Sequence, residues 1–158
     1  MQCGLKGTGI GLLAAGIALA AAVQPIAFPH NKHAAKGLEC TDCHITADTG
    51  SAAGMPSVRK CMLCHRMVAT KGPGVQKLLQ YAKAKREVPW ERVYGFEAGA
   101  EVKFQHAPHI RAKIECKTCH GEVEKMTVAQ RAVRQTMGRC LNCHRERHAT
   151  EDCAACHY

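Results

Sequence analysis

Every cysteine of this chain except Cys3 belongs to a C-x-x-C pair, and a histidine follows every pair at once. The five runs are Cys40-Thr-Asp-Cys43-His44, Cys61-Met-Leu-Cys64-His65, Cys116-Lys-Thr-Cys119-His120, Cys140-Leu-Asn-Cys143-His144 and Cys153-Ala-Ala-Cys156-His157. At the chain's own Cys and His frequencies, about 0.05 such pentapeptides would arise by chance. The spacing has a chemical reason. Two thiols three residues apart reach the two vinyl-derived carbons of one haem, and the adjacent imidazole then lies under the iron as proximal ligand. Zinc ribbons need two pairs per metal and no His behind each pair, and five pairs cannot be shared out that way. A thioredoxin-like motif occurs once per domain, and structural disulfides have no use for the histidines. The expected cofactors are five covalently bound c-type haems.

That expectation also explains an otherwise unpromising composition. The chain has 158 residues, of which 46% are hydrophobic but only 4% aromatic, with eleven Cys and ten His. So few large side chains, at roughly 26 residues per haem, cannot build a separate hydrocarbon core, and the macrocycles must serve as one. The expected fold is mostly irregular, with short α-helices packed around haems. There is no long heptad pattern, and so many thiols do not suit a cytosolic enzyme.

Covalent haem attachment takes place outside the cytoplasm, so an export segment is expected. Lys6 is followed by an uncharged stretch from Gly7 to Phe28 whose apolar heart is Ile10 to Val23. The 14 apolar residues suit a signal peptide and the 22 uncharged ones can just span a bilayer, while Ala20 and Ala22 offer a small-x-small cleavage site. His30 follows almost immediately, which favours a retained anchor. Either way the haem-bearing part lies on the outer, periplasmic face of a cytoplasmic membrane. Cys3 reads as a free thiol on the other side.

Aligning the motifs exposes an internal repeat. Phe28-Pro-His30-Asn-Lys-His33 precedes Cys40 as Phe104-Gln-His106-Ala-Pro-His109 precedes Cys116, at a constant offset of 76 residues, with Glu39 and Glu115 in register. Each half then adds a second site behind a basic residue, Lys60-Cys61 and Arg139-Cys140, and the second half adds a fifth. The chain reads as an N-terminal anchor or signal segment (1–28), a two-haem module (29–72), a helical linker (73–103) and a three-haem module (104–158). In the linker, Pro73, Val75, Leu78, Leu79 and Ala82 predict a helix that ends before Pro89. A second helix is predicted from Glu122 to Met137, with Met126, Val133 and Met137 near one face.

Five of the ten histidines are proximal ligands, His44, His65, His120, His144 and His157. That leaves His30, His33, His106, His109 and His148, one for each iron. If all five serve as distal ligands, no coordination position is open, and the protein passes electrons without binding a substrate at iron. The net charge of +9 does not argue for nucleic acid. Each ferric haem brings about +1 at its centre and up to −2 from its propionates, so five lower the total to about +4. Arg59, Lys60, Arg66, Arg139, Arg145 and Arg147 are the expected propionate partners.

The F-x-H-x-x-H run ten residues ahead of C-x-x-C-H resembles the small class III multihaem cytochromes c. In those, the first His ligates the nearby haem and the second a neighbouring one. By that resemblance His30 goes to the haem on Cys40 and Cys43, and His106 to the haem on Cys116 and Cys119. His33 and His109 cross to the haems on Cys61/Cys64 and Cys140/Cys143. A longer run of residues is similar to the pentahaem cytochrome subunit of alternative complex III and of bacterial quinone reductase complexes. It comprises Gln24-Pro25-Ile26-Ala27-Phe28-Pro29-His30, Pro89-Trp90-Glu91-Arg92-Val93-Tyr94, Cys119-His120-Gly121 and Met137-Gly138-Arg139-Cys140. This similarity implies an electron-transfer subunit, not itself a catalyst, anchored in the membrane. Its implied partners are a membrane-embedded quinone-linked subunit, an iron-sulfur and molybdopterin-oxidoreductase-like subunit, and a redox partner that is a cytochrome or copper protein. It also leaves the fifth distal ligand open between His148 and Met137. The alternative is a free-standing periplasmic or extracellular shuttle to metals or terminal reductases. The shuttle would lack residues 1–28 and an iron-sulfur partner.

Overall fold

The computed structural model describes residues 23–97 and 99–158. The expected anchor or signal segment, up to residue 22, and Cys3 lie outside the described residues. Each attachment motif occupies a short helix: α2 (Cys40–Cys43), α3 (Val58–His65), α6 (Cys116–His120), α7 (Met137–Glu146) and α8 (Cys153–Cys156). Helical pitch is what the motif requires, since residues i, i+3 and i+4 share one face. Both sulfurs and the imidazole of a run therefore point the same way. The remaining helices are α1 (His30–Ala34), α4 (Pro73–Lys83) and α5 (His106–Arg111), with a 3-10 turn at Val123–Lys125. The described residues form no β-strand, only an isolated antiparallel bridge between Val102 and His157. The fold is thus mostly irregular with short helices.

Polar caps start the attachment helices at the right residue. Ser57 Oγ accepts from the Lys60 amide at 3.2 Å, and Thr136 Oγ1 accepts from the Arg139 amide at 3.3 Å. Both caps stand four residues before the first Cys of their run, a correspondence between the halves beyond the F-x-H-x-x-H repeat. Glu39 and Asp42 form a reciprocal capping box on α2, and Asp152 Oδ1 accepts from the Ala154 amide at 3.0 Å. Each such cap contributes about 1 kcal/mol, which matters in helices too short to persist alone.

The hydrocarbon core is small and lies at one end. α3 packs on α4, and Val58, Met62 and Leu78 close over Ile26 and Val88. Trp90, Tyr81, Leu79 and Ala82 pack around them. In the second half the only buried hydrophobic residue among those described is Ala107, and no described side chain of the molecule is less than 2% exposed. Among the described residues no helix is long and apolar enough to cross a membrane.

Of the two expected helices outside the attachment motifs, the linker helix forms and ends before Pro89, and the other needs correction. The linker is helical only over Pro73–Lys83, with Pro73 at its first turn as expected. Lys85, at φ 51°, turns the chain out of the helix, and no further helix forms among the described residues up to 103. The helix expected from Glu122 to Met137 does not form. The chain makes the 3-10 turn, runs on without regular structure, and begins α7 at Met137, where that helix was to end. Two competing interactions explain this. The Tyr94 hydroxyl accepts from the amides of Ala132 and Val133 at 2.9 and 3.3 Å, which withdraws both donors from helical pairing. Thr136 caps the helix that follows, so Met137 becomes its first residue and is 62% exposed.

Candidate haem-binding sites

The ten histidines are not scattered. His33 on α1 faces His65 on α3 with ring centroids 6.0 Å apart. His106 on α5 faces His120 on α6 at 6.2 Å, and His109 on α5 faces His144 on α7 at 6.1 Å. Two imidazoles bound to opposite sides of one metal, each at about 2 Å through a ring nitrogen, place their centroids about 6.3 Å apart. The three observed separations match that span. Each links a histidine of an F-x-H-x-x-H run to the histidine behind a cysteine pair. His30 lies half-buried beside His44. Burial lowers its pKa, and the neighbouring His44 and His33 imidazoles lower it further, which favours the neutral, ligating form. Its Nδ1 is buried without a hydrogen-bond partner.

The rings are held by backbone carbonyls. Nδ1 of His44 meets Gly54 O at 2.6 Å, that of His65 meets Val68 O at 3.0 Å, and that of His157 meets Ala100 O at 3.0 Å. His144 does the same with Thr150 O. Among the other histidines, His33 meets Pro29 O at 2.9 Å, His106 meets Ser51 O at 2.8 Å and His109 meets Gln105 O at 2.7 Å. A carbonyl can only accept, so each of these Nδ1 atoms carries the proton and each Nε2 keeps its lone pair for a metal. Ligating histidines are commonly oriented in this way.

Phe28 and Phe104 do the same work in the two halves. Phe28 stacks on His33 at 4.3 Å and presents its edge to His30 at 4.8 Å. Phe104 lies 4.7 Å from His109 and edge-on to His106 at 4.8 Å. One aromatic ring thus fixes two imidazoles, which is why the repeat opens with Phe.

The cysteine pairs are neighbours as well. Burial pushes the Cys40 thiol above the ordinary thiol range, and the neighbouring Cys116 thiol pushes it further. Cys61 is raised by burial and then by nearby Cys43, and Cys140 by burial and then by Cys156. For Cys119 burial raises the pKa against the opposing Arg139 guanidinium, with Cys140, Cys143 and Cys116 adding to it. No three His, Cys, Asp or Glu side chains among the described residues close on a single metal ion. The donors are arranged as separate pairs of imidazoles beside separate pairs of thiols, which suits haem and does not suit a compact zinc site.

The fifth site differs from the others. His157 is tied to Ala100, and Lys103 N donates to Cys156 O at 2.8 Å. No ring pairing like the three above involves His157 or His148 among the described residues. His148 is exposed at φ 53°, just past the end of α7. Of the basic residues flanking the sites, Arg145 pairs with Glu151 at 2.8 Å, and Arg139 donates to Thr118 O at 2.6 Å.

Sequence reasoning missed two contributors. Tyr94 donates to His120 O at 2.8 Å and lies edge-on to the His120 ring at 4.5 Å, so it seats the third site. Its place in the Trp90 to Tyr94 run was visible, but its target is set only by the tertiary fold. The carbonyls that orient the imidazoles leave no sequence signature at all.

Comparison with known proteins agrees with this geometry. Residues 14–89 match the model of the Class III cytochrome C family, and residues 102–158 match that of cytochrome c7 and related cytochrome c. The chain is also similar to the menaquinone reductase multiheme cytochrome c subunit of Nitratidesulfovibrio vulgaris. The two are 37% identical over 99 residues, which cover 61% of this chain and 45% of that relative. The chain therefore matches somewhat less than half the length of that relative.

Proposed function

We propose that this class III and cytochrome c7-like multihaem cytochrome c holds five covalent haems and works as a membrane-held subunit of a quinone-linked oxidoreductase complex. Electron transfer is the function of such a cytochrome, and similarity to a subunit named for menaquinone reductase supports the quinone link. The resemblance of the Gln24–His30, Pro89–Tyr94 and Met137–Cys140 runs to the pentahaem cytochrome subunit of alternative complex III supports the same reading. The observation that carries the reading is the set of three imidazole pairs at 6.0, 6.2 and 6.1 Å.

When bound, haem supplies an iron that takes up and gives up one electron reversibly. The chain does the rest. The ten paired cysteines would hold the macrocycles by thioethers, and His44, His65, His120, His144 and His157 would ligate from one side. His30, His33, His106 and His109 would close the other side of the first four irons, and His148 or Met137 the fifth. Two imidazoles keep potentials low, whereas a Met ligand raises them. Nδ1–H bonds to carbonyls hold seven of the rings in place, those of His33, His44, His65, His106, His109, His144 and His157, so little reorganisation would accompany a change of iron charge there. With two side chains of this chain assigned to each iron, no position would be left there for a substrate. The apolar stretch from Gly7 to Phe28 would keep the protein on the outer face of the membrane.

Electron paramagnetic resonance of the oxidised holoprotein tests the ligation. His33→Ala, His106→Ala and His109→Ala should each convert one low-spin haem to high-spin or exchanged form. Spectra that stay wholly low-spin would remove the assignment. The His33 and His65 ring planes are 71° apart and those of His106 and His120 are 10° apart, so the second site should give the more anisotropic low-spin signal. Isolation from detergent-solubilised membranes together with an iron-sulfur partner is expected. Release as a free soluble protein would support the shuttle instead.

A further inference from the structure

We propose that a basic cleft on α4 takes the phosphate headgroup of an anionic phospholipid, beside the point where the chain leaves the membrane. The proposal rests on the membrane-held reading above and adds a polar hold on the bilayer to the apolar one. From Lys71 to Arg86 the sequence carries five cations, Lys71, Lys77, Lys83, Lys85 and Arg86, and no carboxylate. None of the five flanks an attachment motif, so they are not among the expected propionate partners. The ion pairs of the described residues involve other cations, those of Lys117, Lys125, Arg134 and Arg145. Glu87, the next acid along the chain, is committed to the Val58 amide, which donates to it at 2.6 Å. The helix and the turn behind it gather part of this charge in one place. Lys77, Gln80, Tyr81 and Ala84 recur at i, i+3, i+4 and i+7 and so form one stripe of α4. Lys85, at φ 51°, reverses the chain, and the Arg86 amide donates to Tyr81 O at 3.1 Å, which returns Arg86 to the stripe. The result is an open cleft of about 270 Å³ lined by Lys77, Gln80, Tyr81, Ala84 and Arg86. Its ammonium, guanidinium, amide and phenol can all donate hydrogen bonds. A guanidinium grips two phosphate oxygens at once, and an ammonium adds a point charge. A helix C-terminus favours cations in its last turn, which accounts for Lys83 but not for Lys77 in mid-helix.

The position of the cleft selects its occupant. Val23, which ends the apolar heart of the N-terminal stretch, is 88% exposed. Gln24 follows and is clamped to the Glu91 backbone: its amide donates to Glu91 O at 2.8 Å, and its side-chain oxygen accepts from the Glu91 amide at 3.2 Å. Ile26 lies in one buried cluster with Val58, Met62 and Leu78. A Cβ on Gly74 would come within 3.3 Å of Ile26 Cγ2, so the first turn of α4 touches the segment that emerges from the apolar stretch. Lys77 stands one turn further, about 5 Å along the helix axis. The clamp at Gln24 and the packing of Ile26 therefore hold the cleft at a fixed, short distance from the residue at which the stretch ends. Headgroups at the level of Val23 lie within that distance. Free phosphate has the same chemistry, and so in part has a carboxylate of a partner protein, but the chain itself carries neither of them to the site.

Hydrogen exchange of the full-length holoprotein in lipid nanodiscs tests the assignment, with discs of phosphatidylcholine compared with discs in which phosphatidylglycerol replaces part of it. Phosphatidylglycerol should slow exchange of the α4 amides about tenfold, the effect of a ligand at ten times its dissociation constant. High salt should abolish the slowing. So should the double substitution Lys77→Gln/Arg86→Gln, whose exchange in phosphatidylcholine should equal that of the unaltered chain because both side chains are exposed. Equal exchange in the two kinds of disc would overturn the proposal. Equal protection by inorganic phosphate in detergent would also overturn it, by making the cleft a free-anion site. Protection that requires added iron-sulfur partner would overturn it in favour of a protein carboxylate. A chain that enters neither kind of disc breaks the membrane-held reading and the proposal with it, whereas a chain that enters both and shows no difference breaks only the headgroup site.

Discussion

The half of the molecule with two attachment sites has a hydrocarbon core, and the half with three has almost none. In the first, Val58, Met62, Leu78, Val88 and Ile26 are each no more than 9% exposed. In the second, only Ala107 among the described residues is buried to that extent. Yet both halves hold their histidines to similar distances. Core residues are therefore not what fixes the imidazoles. Phe28 and Phe104, the carbonyls and the helix caps do that in both halves, and the surface left uncovered in the second half is the surface that three macrocycles would cover. The first half can use α4 as a buttress because the linker helix folds back onto α3, and the second half has no such helix.

The largest effect that would break this contrast is removal of haem altogether. Produced without covalent attachment, residues 104–158 should lose helical signal and amide-exchange protection, while the α3–α4 region keeps part of its own. Equal loss or equal survival of both halves would show that the contrast in burial has no energetic meaning. A smaller effect is expected from Leu78→Ala, which removes a buried side chain from the hydrocarbon cluster of the first half. Denaturant unfolding should show a loss of about 2–4 kcal/mol, while the spin state of the third and fourth haems stays unchanged. The second half can be probed in its own terms by Gly121→Ala. Gly121 sits at φ +71°, and a Cβ there would lie 2.8 Å from Ala132 Cβ. About 1–3 kcal/mol should be lost, together with a shift in the potential of the third haem as the seat made by Tyr94 moves. Gly37→Ala, at φ +78° with nothing within 4 Å, should be milder and leave that potential alone.

Much of the site was legible because its chemistry is local. A thiol, a second thiol and an imidazole on one helical turn need only five residues, and F-x-H-x-x-H needs six. The resemblance that sends His33 and His109 to a neighbouring site named the pairs whose rings face one another in the structure. The helix expected from Glu122 to Met137 failed because the hydrophobic spacing of Met126, Val133 and Met137 carries no information about Tyr94, which lies more than thirty residues away and takes two of the amides. The caps at Ser57 and Thr136 were readable as S-x-x-K-C and T-x-x-R-C, and they would have placed the start of α7 correctly. The bonds that Ser51 O and Gly50 O accept from His106 and Ala107 were not readable, since they depend on which loop meets which helix in the tertiary fold.

The central claim is that covalent haems, five of them, take the place of a core in this chain. Intact-mass measurement of the fully matured protein under denaturing conditions tests it most directly. Five haem additions on one chain are expected, three of them on peptides from residues 104–158. Four or fewer in fully matured protein, or haem that dissociates on denaturation, would contradict it.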